Sequence, residues 1–332
     1  MKNWRDYLLN WKLVAIPTKT NFRSVTTREI LVFEGPQGVS EFSPFVEYGS
    51  KESGNWARAA VEAAYIPFSP NSNNLSININ ITLPRIPTNQ VVNFLQEFPG
   101  CLTIKAKINS FEEDHHRLTE CLKTNSNYIF RLDINGGWDL EKAKSEIALF
   151  HQEFGDKIQY IEQPVTNIED MRKLKELDLI ALAADETIRK NLEQDFSKVQ
   201  EIADFAIIKW QPVGGFQNAT TIAKQLEIPI VVSSALESGI GIYHGLNLAS
   251  HLVQPDIACG LGTVNLLTSD ILSNSPKIEN GVIKYQKPKL DENKCDFYQA
   301  PPQRQDWWEN RLDEIWLEYL LPNSKKWGWD FL

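Results

Sequence analysis

Two lysines lie in the stretch LTIKAKI, residues 102–108, which is predicted to be a β-strand because it is short, apolar and β-branched. Side chains alternate between the two faces of a strand, so Lys105 and Lys107 project from one face and the apolar residues from the other. On an edge strand such lysines face solvent and oppose aggregation. Two adjacent ammonium groups can also do acid–base chemistry, because each disfavours the charged form of the other.

Further charged residues recur where the following strand-like runs end. Counted from Lys107, one follows every 23 to 29 residues: Asp133, Glu162, Asp185 and Lys209. Any single acid could be a cap or loop residue, but in a β/α barrel of about 30 residues per unit these ends converge on the catalytic face. Three carboxylates on neighbouring strands would repel one another without a cation between them. Oxygen donors favour Mg²⁺, with Mn²⁺ as a substitute, so the three acids are predicted to be metal ligands.

The elements that must position these residues alternate between strand and helix after residue 74. The strand-like runs are LSININITL, LTIKAKI, YIFRLDI, KIQYIEQP, LIALAADE, FAIIKWQP, IPIVVSS and DIACG. Helical patterns such as LEKAKSEIALFHQEF lie between them. Eight strands with intervening helices predict an α/β fold with a parallel β/α barrel. An open doubly wound sheet is the alternative, but no GxGxxG motif follows the first strand.

The chain divides into three predicted regions. Residues 1–74 contain the extended runs KLVAIPTKT and TREILVFEG followed by the helical NWARAAVEAAYI, which indicates a small α+β unit. The loop IPFSPNSNN marks its boundary with a barrel at residues 75–290. Residues 291–332 include the helical, tryptophan-rich RQDWWENRLDEIWLEYLL and are predicted to pack back on the first unit.

The composition excludes some kinds of binding partner. The chain has 332 residues, of which 42% are hydrophobic, and its net charge of −9 argues against a nucleic-acid surface. No apolar run reaches membrane-spanning length, and the first residues lack the pattern of a signal peptide. The four cysteines show neither CxxC pairing nor zinc spacing. We therefore expect a cytoplasmic protein that acts on a small molecule, and we make no prediction of its oligomeric state.

At its charged strand ends the chain resembles the enolase superfamily, through the strings TIKAKI, RLDINGGW, YIEQP, AADET and IIKWQPVGG. Within that superfamily, VVSSALESGIG and ACGLGT resemble the o-succinylbenzoate synthases, dehydratases of menaquinone and phylloquinone biosynthesis. The resemblance covers nearly the whole chain. It implies a modified, (β/α)7β TIM-type barrel with an N-terminal α+β capping domain, and Mg²⁺ held by Asp133, Glu162 and Asp185.

The resemblance also implies a reaction. The substrate would be 2-succinyl-6-hydroxy-2,4-cyclohexadiene-1-carboxylate, which loses water by syn elimination to give 2-succinylbenzoate. Lys107 would remove the proton α to the ring carboxylate and return it to the departing hydroxide. Lys209 would stay cationic and face the anionic ring. Lys105 would orient the carboxylate and depress the pKa of Lys107.

The residues around the substrate are predicted less directly. They are Arg131, Ser233, Ser234 and Gly260. The arginine shares a strand face with a predicted metal ligand and belongs to the pocket by resemblance, or else serves as a charge partner for the acids. One of the serines, which end the seventh strand, would face the succinyl chain, and the glycine would let backbone approach the ligand. A loop at Phe42 and Ser43 would cover the site and exclude water.

Two other functions use the same residues. In a racemase or epimerase of N-acylated amino acids, Lys107 and Lys209 would both shuttle protons, one on each face of the substrate. Dipeptide epimerases of this group carry an Asp-x-Asp after the last strand, where this chain has ACGLGT. A non-catalytic Mg²⁺-binding barrel is the third hypothesis, and the complete set of lysines and acids argues against it.

Overall fold

The computed structural model describes residues 3–22, 25–72 and 74–332. Within these ranges lie a three-stranded antiparallel sheet, a seven-stranded parallel sheet and a second, smaller antiparallel sheet. One continuous core of buried apolar side chains runs through all of the larger elements. No helix in the described ranges combines the length and the apolar character needed to cross a membrane.

The N-terminal unit is an antiparallel sheet followed by a buried helix. Its elements are β1 (Leu9–Phe22), β2 (Val25–Gly35), β3 (Gly38–Phe42) and α1 (Ser50–Tyr65). Alanines dominate the buried face of α1, so the helix approaches the sheet closely, and Ser40 Oγ of β3 donates to the carbonyl of Ala60 at 2.8 Å. The predicted α+β character of this unit is confirmed.

Seven parallel strands, paired in sequence order, form most of the barrel wall in the described residues. They are β5 (Ile81–Leu83), β6 (Thr103–Lys107), β7 (Ile129–Asp133), β8 (Ile158–Glu162), β9 (Leu182–Ala184), β10 (Phe205–Ile208) and β11 (Ile230–Val232). Each is followed by a helix: α2 (Val91–Leu95), α3 (Phe111–Thr124), α4 (Leu140–Phe154), α5 (Ile168–Lys175), α6 (Glu186–Arg189), α7 (Phe216–Ala223) and α8 (Gly239–Leu252). Side-chain caps at Ser110, Asp139, Asn167 and Ser238 begin four of these helices.

The barrel is closed by a segment at residues 258–260 that lies between β11 and the chain leading into β5. Gly260 N donates to the carbonyl of Val232 at 2.9 Å, and Asn80 N donates to the carbonyl of Cys259 at 2.9 Å. Seven strand–helix units and a final strand therefore form a closed (β/α)7β barrel. This confirms the predicted fold class and is incompatible with the alternative of an open sheet.

Two smaller groups of elements complete the chain. Strands β12 (Ile278–Glu279) and β13 (Val282–Lys284) form a hairpin that pairs with β4 (Ser76–Asn78). The C-terminal segment contains α9 (Glu292–Phe297), α10 (Pro302–Ile315), a π-helical turn at Trp316–Leu320 and α11 (Leu321–Asn323).

The C-terminal helices contact the N-terminal unit through the partly buried carboxylate of Glu29 and through a second hydrogen bond. Arg304 donates to both oxygens of Glu29 in β2, at 2.7 and 2.6 Å, and Trp308 Nε1 donates to the same carboxylate at 2.8 Å. A second link joins Trp4 Nε1 to Asp313 at 2.7 Å. The first and last parts of the sequence thus pack together.

Candidate active site

A small enclosed cavity lies where the parallel strands end. Side chains from the barrel strands, from the loops that follow them and from the N-terminal unit line it: Phe45, Thr82, Lys105, Lys107, Asp133, Asn135, Lys209, Ser233, Ser234, Ala235, Leu236 and Thr263. The C-terminal ends of barrel strands are the usual place for catalytic groups, because side chains from several strands converge there.

The three predicted metal ligands lie on consecutive strands. Asp133 and Glu162 are the last residues of β7 and β8 and are direct partners in the parallel register, while Asp185 follows the last residue of β9. All three side chains are at most 1% exposed. Burying three carboxylates so close together requires compensating positive charge.

Three lysines supply that charge. Lys105 Nζ lies between Asp133 Oδ2 (3.0 Å) and Glu162 Oε2 (2.6 Å). Lys107 Nζ donates to Asp133 Oδ2 at 2.6 Å, and Lys209 Nζ donates to Asp185 Oδ2 at 2.5 Å. Each of the three buried carboxylates therefore has a lysine ammonium beside it.

Lys107 and Lys209 enter the cavity from opposite sides of the barrel. Lys107 ends β6, and Lys209 directly follows β10. These strands are four positions apart in a closed ring of eight, so they face each other across the barrel mouth. A planar substrate between them would present one face to each lysine.

The two lysines of β6 have pKa values that shift in opposite directions. For Lys105, burial disfavours the charged form, but the charges of Asp133 and Glu162 outweigh it and raise the pKa well above its usual value. For Lys107, burial is the largest effect and lowers the pKa; the charge of Asp133 opposes the shift and that of Lys105 adds to it. Lys105 is thus held as a cation, while Lys107 gives up its proton more easily than an ordinary lysine.

The carboxylates also differ among themselves. Burial opposes ionisation of Asp133, but the charges of Lys105 and Lys107 prevail and lower its pKa. Burial and the neighbouring charge of Asp133 raise the pKa of Glu162 to about 7. Asp185 is buried too, yet the charge of Lys209 lowers its pKa to about 2. Glu162 is therefore the acid that most needs additional positive charge in order to ionise.

The donor set suits a hard divalent cation, although the acids pair with lysines rather than converging. In the described residues, no group of three or more Asp, Glu, His or Cys side chains is already arranged around one point. Asp185 Oδ1 and Glu162 Oε2 are buried and accept no hydrogen bond of good geometry, although Arg189 Nε lies 3.5 Å from the former and Lys105 Nζ lies 2.6 Å from the latter. Such oxygens on buried carboxylates are ligands that Mg²⁺ prefers. A cation held by these acids would supply the positive charge that Lys105 gives to Asp133 and Glu162 in this structure.

The predicted substrate-binding residues fall into two groups. Ser233 and Ser234 line the cavity, and Ser234 Oγ donates to the carbonyl of Gly260 at 2.7 Å. Gly260 itself lies behind the serines, where an added Cβ would collide with Ser233 Oγ. Arg131 does not line the cavity. It is fully buried one layer deeper, where it donates to the carbonyl of Ala258 at 2.7 Å and so supports the segment that closes the barrel.

Other lining residues were not predicted from the sequence. Asn135 lies in the turn after β7, with φ of 54°, and accepts a hydrogen bond from Lys107 Nζ at 2.6 Å; strand alternation ends at Asp133 and could not predict it. Thr82 is the register partner of Lys105 on the next strand. For Thr263, which pairs with the hydroxyl of Ser234 at 2.6 Å, the sequence offers no local signal.

The loop from the N-terminal unit reaches the cavity through Phe45, not through Phe42 or Ser43 as predicted. Phe42 packs against Trp308 instead, at a ring separation of 5.6 Å. Ser43 N donates to the side chain of Gln211 at 3.2 Å, away from the cavity lining. The loop after β3 therefore does reach the cavity, but Phe45 is the residue of this loop that lines it.

One buried arginine fastens this loop to the barrel. Arg28 Nε donates to the carbonyl of Leu236 at 3.0 Å, and its terminal nitrogens donate to the carbonyls of Ser43 and Pro44. The guanidinium also lies 4.3 Å from the ring centre of Phe45. Because Phe45 and Leu236 both line the cavity, Arg28 fixes two of its walls relative to each other.

The enclosed volume is small. The cavity holds about 30 Å³, enough for a water molecule but far below the several hundred Å³ of typical ligand sites. A ring with a succinyl chain enters only after side chains move. The lysines that lie across the carboxylates and the Phe45 loop are the groups that fill this space.

Comparison with known proteins assigns the fold and the family. Residues 13–64 match the enolase N-terminal domain-like family, and residues 90–288 match the enolase C-terminal domain-like family. The fold is similar to that of muconate lactonizing enzyme from Pseudomonas putida, with a TM-score of 0.73 and 18% identity over 89% of this chain and 100% of that one. The corresponding Pseudomonas fluorescens enzyme gives 0.74 and 18% identity over 89% and 99% of the two chains. The fold is thus that of the two-part enolase-like proteins.

Sequence similarity is higher to one group of these proteins. The chain is 35% identical over 316 residues to the o-succinylbenzoate synthase of Mycobacterium tuberculosis, which covers 94% of each chain. It is 35% identical over 312 residues to that of Mycolicibacterium smegmatis, covering 92% of this chain and 95% of the relative. The chain belongs to the o-succinylbenzoate synthase family of the enolase superfamily.

Proposed function

We propose that this protein is a Mg²⁺-dependent o-succinylbenzoate synthase of the cytoplasm, acting in menaquinone or phylloquinone biosynthesis. It would convert 2-succinyl-6-hydroxy-2,4-cyclohexadiene-1-carboxylate to 2-succinylbenzoate and water. The observation that carries the proposal is the placement of Lys107 and Lys209 on opposite sides of one cavity, beside three buried carboxylates. Family membership at 35% identity over 94% of the chain supports the choice of substrate.

In this proposal Lys107 is the general base. Burial and the charge of Lys105 favour its neutral form, which is the form that can accept a proton. Its side chain is 17% exposed, so it reaches the cavity, and Asp133 and Asn135 fix its position. Lys107 takes the proton from the ring carbon that bears the carboxylate, and the electron pair of that C–H bond stays on the substrate.

Lys209 supplies charge from the other face of the ring. Its ammonium is hydrogen-bonded to Asp185 and lies in a site with little water, where a positive charge stabilises the developing anion strongly. Lys105, a second buried cation on the same strand as Lys107, adds to the positive field and favours neutral Lys107. The two lysines of β6 therefore have separate tasks.

Elimination completes the reaction. The ring C–O bond breaks, the electron pair left by the lost proton forms the new ring double bond, and hydroxide departs. Lys107 gives its proton to that hydroxide, so water forms and the base is regenerated for the next cycle. A single residue can do both tasks because the proton and the hydroxide leave the same face of the ring.

The metal would be held by Asp133, Glu162 and Asp185, whose buried and partly unpartnered oxygens suit Mg²⁺ or Mn²⁺. When bound, it would supply positive charge at the ring carboxylate. Ser233 and Ser234, with Gly260 behind them, form the wall proposed to hold the succinyl chain. Arg131 contributes from below by supporting the segment that contains Gly260.

The decisive experiment is turnover of the cyclohexadiene substrate, followed by ultraviolet absorbance as the aromatic product forms. We expect turnover that requires a divalent cation and stops with excess chelator. A purified, folded, Mg²⁺-loaded protein that leaves this substrate unchanged would contradict the proposal.

The opposed lysines also favour a second activity, racemisation of N-succinylamino acids. Lys107 and Lys209 would then each exchange a proton with one face of the α carbon. Incubation of a single enantiomer in deuterium oxide separates the two activities: racemisation incorporates deuterium at the α carbon and yields the other enantiomer. A protein that dehydrates the cyclohexadiene without such exchange is a synthase alone.

A further inference from the structure

A second, larger cavity lies outside the barrel mouth. It holds about 640 Å³ and is formed by α1, by residues 189–194 after the fifth barrel strand and by the turn that ends the C-terminal helices. This volume lies within the range of small-molecule sites. No step of the proposed reaction uses it.

The charged residues of this cavity are mostly cationic. Lys51, Arg58, Lys190 and Lys326 line it, and Arg189 forms part of its wall. Across the whole sequence acidic residues exceed basic ones, with a net charge of −9. A concave cationic region on an acidic protein concentrates the local potential and attracts anions.

One nitrogen of Arg58 has no hydrogen-bond partner in the described residues. This nitrogen, Nε, is buried. The guanidinium packs over the ring of Trp327 at 4.6 Å, which holds its plane in place. Glu62, one helical turn away, is near enough for its charge to act on Arg58, but its hydrogen bond comes from the backbone of Gln217 at 3.0 Å. The guanidinium is partly exposed and its Nε has no acceptor in the described residues, so an anion with several oxygens would add charge-assisted hydrogen bonds to Arg58.

The other cationic side chains of the cavity differ in their ion-pair partners and in their exposure to solvent. Arg189 donates to Glu186 at 2.8 Å and also lies near Asp185, so its charge is already compensated. Lys51, Lys190 and Lys326 are exposed. Exposed lysines are ordinarily just solvated, and alone they would define no site. Around Arg58, whose Nε has no acceptor in the described residues, they supply adaptable charge at the rim.

We propose that this cavity binds a compact polyvalent anion, one that carries at least two negative charges on several oxygens, as phosphate and polycarboxylates do. Arg58, stacked on Trp327, would donate directly to the anion, and Lys51, Lys190 and Lys326 would neutralise the remaining charge. The site is separate from the barrel mouth. It is closest to the barrel through Arg189, which reaches from the cavity wall to Asp185.

Calorimetric titration of the full chain with inorganic phosphate, and separately with tricarballylate, tests the proposal. Chloride holds the ionic strength constant. We expect saturable binding of at least one probe, roughly millimolar or tighter. The probe that binds more tightly shows whether the anion that the cavity prefers carries phosphate or carboxylate groups. Arg58→Gln should weaken binding at least about tenfold, the effect of losing a charge-assisted contact. Lys123→Gln, at an exposed lysine paired with Glu120, should leave it unchanged.

Two further measurements are made. One locates the binding site, and the other tests the proposal if the Arg58→Gln variant does not fold. In protein labelled with 5-fluorotryptophan, the ¹⁹F resonance that Trp327→Phe removes should shift on titration. Lys326→Glu changes an exposed residue and should weaken binding even if Arg58→Gln fails to fold. The proposal is overturned if neither probe saturates, if the Trp327 resonance does not move, or if folded Lys326→Glu binds as tightly as the unmodified protein.

Discussion

Replacing Lys105 with methionine should destabilise the metal-free protein and make it more responsive to Mg²⁺. The ammonium lies 3.0 Å from Asp133 and 2.6 Å from Glu162, and the three side chains are 8%, 1% and 0% exposed. Methionine keeps the length and apolar stem but leaves both carboxylates without this partner. Removing one member of a buried ion pair costs about 3–5 kcal/mol.

That cost translates into a measurable change in melting temperature. Unfolding entropy near 60 °C is about 2.1 cal/mol/K per residue, or roughly 0.7 kcal/mol/K for a chain of this length. The Lys105→Met protein should therefore melt about 4–7 °C lower in excess chelator. The loss should be smaller at pH 6 than at pH 8, because Glu162, whose pKa is raised to about 7, can take up a proton and shed its uncompensated charge.

Magnesium should reverse part of the loss. A cation present at a hundred times its dissociation constant adds about 2.7 kcal/mol, or roughly 4 °C here. In the unmodified protein the metal must first displace Lys105, so its stabilisation by Mg²⁺ should be smaller than that of the variant. Scanning calorimetry of both proteins, with and without Mg²⁺, measures this difference.

Lys123→Met is the matched control, since that lysine is 68% exposed in its pair with Glu120 and its loss should cost less than about 1 kcal/mol. If Mg²⁺ stabilises the unmodified protein and Lys105→Met equally, the ammonium and the metal do not compete for the same carboxylates. The arrangement proposed for the site would then be wrong.

Three further predictions concern the same site. Lys107→Arg should abolish dehydration, since a guanidinium stays protonated, whereas Lys209→Arg should retain measurable kcat/KM because its charge survives; equal inactivity of the two folded variants would favour a two-base site. Asp185→Asn should weaken Mg²⁺ binding at least about tenfold in calorimetric titration, and an unchanged affinity would remove this residue from the ligand set. Mg²⁺ affinity should be constant above the Glu162 pKa of about 7 and fall as pH drops below it, because protonation removes the charge that binds the cation; titrations between pH 6 and 8.5 that show no such fall would contradict this role.

The strand ends that carry charged residues could be predicted because parallel strands give a regular relationship between chain position and space. Parallel strands bring their C-terminal ends to one rim, so Lys107, Asp133 and Glu162 could be expected near one another, and in the structure they are register partners on neighbouring strands. The helix predicted from LEKAKSEIALFHQEF coincides with α4 because its apolar spacing is regular and Asp139 caps it.

What the sequence could not predict depends on packing between distant segments. Whether Phe42 or Phe45 reaches the cavity is decided by Arg28, which bonds both to Pro44, 16 residues away, and to Leu236, 208 residues away along the chain. Arg131 shares a strand face with Asp133, yet it lies one layer too deep to reach the cavity. Alternation defines a side chain's face but not its depth in the barrel.

The contact of Glu29 with Arg304 and Trp308 bears on how the protein is made. These residues are separated by 275 and 279 positions in the chain. A ribosome adds about 5–20 residues per second, so Glu29 waits roughly 15 to 55 seconds after its own synthesis before its partners exist. Throughout that interval the nascent N-terminal sheet exposes the surface that α10 later covers. We expect chaperone demand during translation to depend on how quickly α10 emerges, which makes the codons that encode α10 a point of control for folding yield.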